Sequence, residues 1–287
     1  MTRLFQIDHP FVRSHYRDQN NFKVEYDESG DKEVCAIYFS SHNIYYPNTI
    51  EAFTESILNA DKYEWYKTRV KVASKHIFLR DIQKQWYIDG ISEKYDSIDA
   101  LVDLLRDLTH GYKTIWIGSS AGGYAATLFG NILHGERIFS FNGQMEIGSL
   151  IKDSSPSVDP LVFKYVNDRK KGIFFSLRSY IVNPKNTYYF CSLNSAWDAK
   201  QYAHIKDLDT QVLRFSCRRH GIPFLKSSLM NVIQLDGYDL APYTKRVNNQ
   251  LVFSILVSGY ISTIKGIVDV GVTSLKRFIM NNMRVRL

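Results

Sequence analysis

The 287-residue sequence predicts an α/β fold: a mostly parallel sheet with helices on both faces, ending in an amphipathic helical tail. Three observations point there. Residues 114–126, TIWIGSSAGGYAA, pass from a short apolar run through small residues into a helical pattern. That is the pattern of a buried parallel strand, a sharp turn and a helix. Strand-like and helix-like segments alternate around this stretch, as they do when crossover helices join parallel strands. Hydrophobic residues make up 45% of the chain, enough for a core on two sides of a sheet.

The elements follow in order. Residues 3–39 read as two or three strands: 22–26 alternate, Glu28-Ser29-Gly30-Asp31 is a turn, and 34–39 is a continuous apolar run. Together they predict an edge hairpin leading into the sheet. The run ends in Ser40-Ser41-His42-Asn43. Asn48 is placed to cap a helix, with Glu51 three residues on completing a capping box. His76-Ile77-Phe78-Leu79 is a second core strand. Arg80-Asp81 stands at its C-terminal end, the end that faces the site in open α/β sheets, and is read as a structural ion pair. Gln85-Trp86-Tyr87 either lines the pocket or packs beneath it. Ile98, Leu101, Leu104, Leu105 and Leu108 share one face of a helix over 96–108, which Gly111 ends. The central strand and turn come next, then a strand at 137–142. Residues 144–186 break the rhythm with prolines, the run Arg169-Lys170-Lys171 and many aromatics. A strand at 187–192 restores it. A helix follows to Asp207, then a strand at 210–216 read as the last of the sheet, a loop from Cys217 to Pro223, and a helical stretch over 224–235.

Ser120 stands at the apex of the central turn, between Gly118 and Gly122. A nucleophile held there has strained backbone angles, and its neighbours must lack bulk because strand and helix pass close together. The N-terminus of the following helix can stabilise negative charge on a substrate oxygen. No G-x-G-x-x-G and no Gly-Lys-Ser/Thr is present, so the turn is not read as a nucleotide loop. The stretch GSSAG, with strand before and helix after, resembles the nucleophile elbow of the α/β-hydrolase superfamily, and Ser120 matches its serine. A looser resemblance, on IYFSS, FLRD and GSSAGGYAA, is to hydrolase-like proteins of bacterial surface-polysaccharide synthesis, including serine-dependent polysaccharide O-acetyltransferases.

The resemblance implies an α/β-hydrolase-like domain over 1–240, a cap insertion over 144–186 that helps choose substrate, and a separate basic helical tail over 241–287. A serine hydroxyl needs a base, normally a histidine whose tautomer a carboxylate fixes. The superfamily supplies these in the order Ser, Asp, His from loops at the strand C-termini. By that order Ser120 is the nucleophile, Asp198 the carboxylate after the next-to-last strand, and His220 the base after the last. His110 and His134 lie at helix ends, His204 within a helix, and His9 and His15 before the sheet. Asp207 and Asp209 fall at the opposite end of the sheet. Ala121 N–H is one expected oxyanion donor. Ser41 or His42 supplies the other, with the choice open. The implied enzyme is an esterase or an O-acyltransferase working through an acyl-enzyme on a carbohydrate or acyl-ester substrate. It holds no resident cofactor or metal, and acetyl-CoA is the acyl donor if it transfers. The alternative is a non-catalytic scaffold or binding subunit of a glycan-synthesis complex.

Composition adds bounds. The net charge is +7, yet residues 241–287 hold seven Lys/Arg against one acid, Asp269. The body is nearly neutral, which argues against nucleic acid as a partner. Cys35, Cys191 and Cys217 lack metal-ligand spacing and read as buried thiols. With no apolar h-region at the N-terminus, the expected place is the cytoplasm, or the inner face of the membrane. In the tail, Phe253, Leu256, Val257, Tyr260, Ile264, Ile267 and Val268 mark one face. Ser254, Ser258, Ser262, Lys265 and Asp269 mark the other. Such a helix docks back on the body, packs an oligomer or lies on a membrane surface.

Overall fold

The computed structural model of the protein describes residues 9–150, 165 and 167–284. Eight strands form one sheet: β1 Phe22–Tyr26, β2 Asp31–Phe39, β3 Ala73–Leu79, β4 Lys113–Ser119, β5 Arg137–Phe141, β6 Thr187–Ser192, β7 Gln211–Phe215 and β8 Val247–Asn248. Their order is β1-β3-β2-β4-β5-β6-β7-β8. Only β1 runs antiparallel to its neighbour. With helices on both faces, the fold is α/β-hydrolase-like.

Because successive side chains of a strand point to opposite faces, each central strand feeds two cores. On one face Cys35, Ile37 and Phe39 of β2 meet Trp116, the helix Ile98–Thr109 and the helix Ala121–Ile132. On the other, Ala36 and Tyr38 join a cluster of rings from β5, β6, β7 and the C-terminal helix. Burying each large side chain of this kind contributes roughly 1.5–3 kcal/mol. That explains why continuous apolar runs, not alternating ones, marked these strands.

Several expectations are corrected. β1 and β2 do not pair as a hairpin; they straddle β3. The turn between them bonds to the start of β3 instead, with Asp27 N–H on Ser74 O at 2.7 Å and Asp31 N–H on Val72 O at 2.8 Å. A helix at Pro10–Asp18, not foreseen, precedes β1. Thr49, not Asn48, caps the helix that begins at Ile50, because the Asn48 carboxamide oxygen accepts from Lys84 Nζ at 2.5 Å. Arg80 and Asp81 form no pair. Neighbouring residues at a strand end face apart, so Arg80 meets Asp61 at 2.9 Å while Asp81 accepts from the backbone N–H groups of Gln83, Gln85 and Tyr87. β8 extends the sheet beyond β7. Residues 224–235 are helical over part of their length, as the 3₁₀ helix Lys226–Ser228 and the four-residue α-helix Leu229–Val232.

Of the segment 144–186, residues 151–164 and 166 lie outside the described residues. The remainder is tied to the body. Tyr124 Oη donates to Phe174 O at 2.7 Å, and Lys171 pairs with Asp89 at 2.7 Å. The C-terminal helix, Gln250–Arg284, breaks at Gly259, whose φ of 77° suits glycine. Among the described residues, Gln250–Val268 is the one stretch long and apolar enough to cross a membrane.

Candidate active site

The turn after β4 is built by close packing. A Cβ on Gly118 would stand 2.0 Å from Gly122 O, and one on Gly122 would stand 2.2 Å from Phe39 O. No side chain fits at either place. Between them Ser120 adopts φ 54° and ψ −123°, a conformation costly for any residue with a Cβ. It is held by its N–H on Phe141 O at 3.0 Å. The hydroxyl is thereby lifted above the C-terminal edge of the sheet, and Ala121 N–H, the first of its helix, has no intrahelical acceptor.

The three side chains named by chain order are hydrogen-bonded in series. Ser120 Oγ lies 2.8 Å from His220 Nε2, and His220 Nδ1 lies 2.7 Å from Asp198 Oδ1. The imidazole is 40% exposed and the carboxylate fully buried. Asp198 lies in the first turn of the helix Ala196–Ile205, not in the preceding loop, with its N–H capped by Ser195 Oγ at 3.3 Å. In the tautomer that this series selects, Nδ1–H donates to the carboxylate and Nε2 accepts the serine proton.

Other residues, unforeseen from the sequence, fix this arrangement. Asn142, just beyond β5, donates from Nδ2 to Gly221 O at 2.8 Å and to Arg219 O at 3.3 Å. It also accepts from Ser192 N–H at 2.8 Å. Ser192 Oγ donates to Arg219 O at 2.6 Å. The carbonyls on both sides of His220 are thus clamped to the ends of β5 and β6. Gln144 Nε2 donates to Ser120 Oγ at 3.1 Å, while its Oε1 accepts from Trp86 Nε1 at 3.1 Å. Trp86 therefore packs beneath the site. The available signal was position alone: Asn142 and Gln144 follow a strand at the end where the serine stands.

The two remaining oxyanion candidates differ. Ser41 N–H donates to Glu64 Oε2 at 2.5 Å, and Ser41 Oγ to Glu64 Oε1 at 2.9 Å. Its amide is committed to that carboxylate. His42 begins the 3₁₀ turn His42–Ile44, so its N–H has no acceptor within that turn. The His42 ring rests on Trp86 with centroids 4.5 Å apart, and its Nε2 is buried without a partner. Burial, then the charges of Lys84 and His220, pushes this imidazole down to about 3. It is neutral near pH 7. Nearby, burial lowers the Lys84 ammonium to about 7 against the pull of Asp81 and Glu64, and raises the Asp81 carboxyl to about 6. Among the described residues no cluster of His, Cys, Asp and Glu could hold a metal ion. All three cysteines are free and buried.

No family model matches the chain, and no curated protein does. Solved structures of similar shape include the capsule O-acetyltransferase of Neisseria meningitidis serogroup A, at 17% identity over 68% of this chain and 82% of that one, with a TM-score of 0.47. A Staphylococcus aureus protein of unknown function matches at 11% identity over 78% and 94% of the two chains, with a TM-score of 0.46. The Wnt deacylase Notum from Drosophila matches at 11% identity over 70% and 80%, with a TM-score of 0.41. With overlap this loose, the chemistry is read from the residues of this chain.

Proposed function

We propose that the protein is a serine-nucleophile acyl-transfer enzyme. The observation that carries the reading is the continuous series Ser120–His220–Asp198, with the serine in a strained turn at a helix N-terminus. In this reading Ser120 Oγ attacks an acyl carbonyl as its proton passes to His220 Nε2. Electrons displaced from the carbonyl rest on an oxygen that accepts from the N–H groups of Ala121 and His42. Collapse expels the leaving group, which takes the proton from His220, and an acyl-serine remains. An acceptor O–H then gives its proton to His220, its oxygen attacks the ester, and the acyl–Oγ bond breaks as Ser120 Oγ takes the proton back from His220. Water as acceptor gives an esterase; a sugar hydroxyl gives an O-acyltransferase. We assign the sugars of a bacterial surface polysaccharide as acceptor and acetyl-CoA as donor, with residues 144–186 as a cap that selects among them and the cytoplasm as the site of action. Exposed Arg218 and Arg219 flank the base and suit a donor carrying phosphates.

A fluorophosphonate probe tests the reading. The wild-type chain should label at Ser120, and Ser120→Ala should abolish labelling and cut turnover of an activated ester by about 10⁴-fold or more. Intact labelling of Ser120→Ala, or none of the wild type, would leave a non-catalytic scaffold as the better description. Incubation of polysaccharide with acetyl-CoA then separates transfer, read as a gain in mass, from hydrolysis, read as loss of existing acetyl groups.

A further inference from the structure

The C-terminal helix is inside out. A helix that docks on a soluble body turns its apolar stripe inward. Here Ser254, Thr263 and Gly266 face the body, with Phe253 buried beside them and Val257 packed in part against the same core. Ser254 Oγ accepts from Leu225 N–H at 3.1 Å, and a Cβ on Gly266 would stand 2.1 Å from Ser227 Oγ. The outer side is almost wholly apolar. Leu256 is 57% exposed, Tyr260 71%, Ile261 74% and Ile264 58%, with Ile267 and Val268 continuing the face. Of the alternatives for the tail, docking on the body is present, but the kink at Gly259 and the serine-rich contact turn much of its apolar side outward.

We infer that this face docks flat on the surface of an anionic lipid bilayer. Charge decides between the occupants that an apolar face permits. Residues 241–287 carry seven basic residues against one acid, and Lys276, Arg277, Arg284 and Arg286 lie further along the chain, C-terminal to the apolar stretch. Exposed Lys226 lies on the turn beneath the helix, and exposed Lys265 stands within the face itself. Each basic group near an anionic leaflet adds favourable attraction, and long lysine stems let the ammonium reach the headgroups. A second copy of the chain would bring two such cationic segments together, which is unfavourable. The helix lies along the surface and does not cross it. Both ends of the apolar stretch, at Ser254 and at Gly266, touch the folded body, and a crossing segment would have to leave it. This inference stands apart from the catalytic reading.

The test is co-sedimentation of the full chain with vesicles of phosphatidylcholine, alone or mixed with phosphatidylglycerol. Binding should be at least about tenfold stronger to the mixed vesicles and should fall with added salt. Leu256→Glu with Ile261→Glu, and separately Lys276→Glu with Arg277→Glu, should each weaken it by about tenfold or more with unchanged melting. Should the first pair unfold the chain, Ile261→Ser alone, at the most exposed of these positions, should still weaken binding severalfold. Equal binding to both vesicles, or full binding by the Leu256/Ile261 variant, overturns the inference. So does protein released only by detergent, which means a spanning helix. A stable dimer by light scattering that the Leu256/Ile261 variant dissolves also overturns it.

Discussion

At the scale of single residues, His220 is held by its neighbours' carbonyls as much as by its own ring. His220 sits on an exposed loop, where a side chain ordinarily samples several rotamers. Asn142 and Ser192 remove that freedom by binding the carbonyls of residues 219 and 221. Asn142→Ala takes the side-chain donor from Gly221 O and leaves Arg219 O with Ser192 Oγ alone, a loss on the order of 1–3 kcal/mol. We therefore expect fluorophosphonate labelling of Ser120 to slow by roughly 10–100-fold, with the KM of a small ester unchanged and kcat reduced. Lower stability with an unchanged labelling rate would make Asn142 a structural residue only. None of this was legible in the chain, since Asn142 lies 77 and 79 residues from the groups it binds. Asp198 and His220 were legible for the opposite reason. Each follows a strand whose apolar run gives it away, so the topology of the sheet delivers them to one rim.

At the scale of elements, the turn after β4 has no room for a side chain at Gly118 or Gly122. Gly122→Ala would place a methyl 2.2 Å from Phe39 O, a backbone atom that cannot swing aside. We expect a loss of stability of about 3 kcal/mol or more, read as a lowered urea midpoint. A midpoint within a few tenths of a kcal/mol of wild type would show that β2 and the helix after Ser120 can separate. The glycine spacing announced this contact, because packing density there is written into consecutive small residues. The position of β1 was not announced. Alternation marks a strand but carries no record of its partner, and here the turn at residues 27–31 bonds to β3 rather than closing a hairpin. The two faces of the C-terminal helix were legible, but not their orientation, since periodicity finds two faces without saying which one meets the body.

At the scale of the whole molecule, buried titratable groups set the response to acid. Burial lowers the pKa values of His15, His42 and His76 below the ordinary histidine value. Between those folded values and about 6.5 the unfolded chain binds more protons than the folded one, so stability falls as pH falls. His42 alone contributes at most about 2 kcal/mol of this by pH 5. Asp81, raised by burial to about 6, acts oppositely and offsets part of it. Urea midpoints should therefore be lower at pH 5 than at pH 7.5, and His42→Asn should reduce the difference. A midpoint that holds or rises on acidification would show that these rings take up protons without unfolding.

The way the last helix meets the loop of the base bears on how shortened versions of this protein would be interpreted. Phe253 fits against Phe215 and Phe224, at 5.0 and 5.2 Å between ring centroids, and Ser254 holds the amide of Leu225, all within a few residues of His220. Trimming the chain after residue 249 to rid it of a greasy end would take away the packing of Phe215, Phe224 and Leu225, the residues on either side of the His220 loop. An inert truncation would then have lost this packing as well, and its silence could not be credited to lost contact with lipid or substrate.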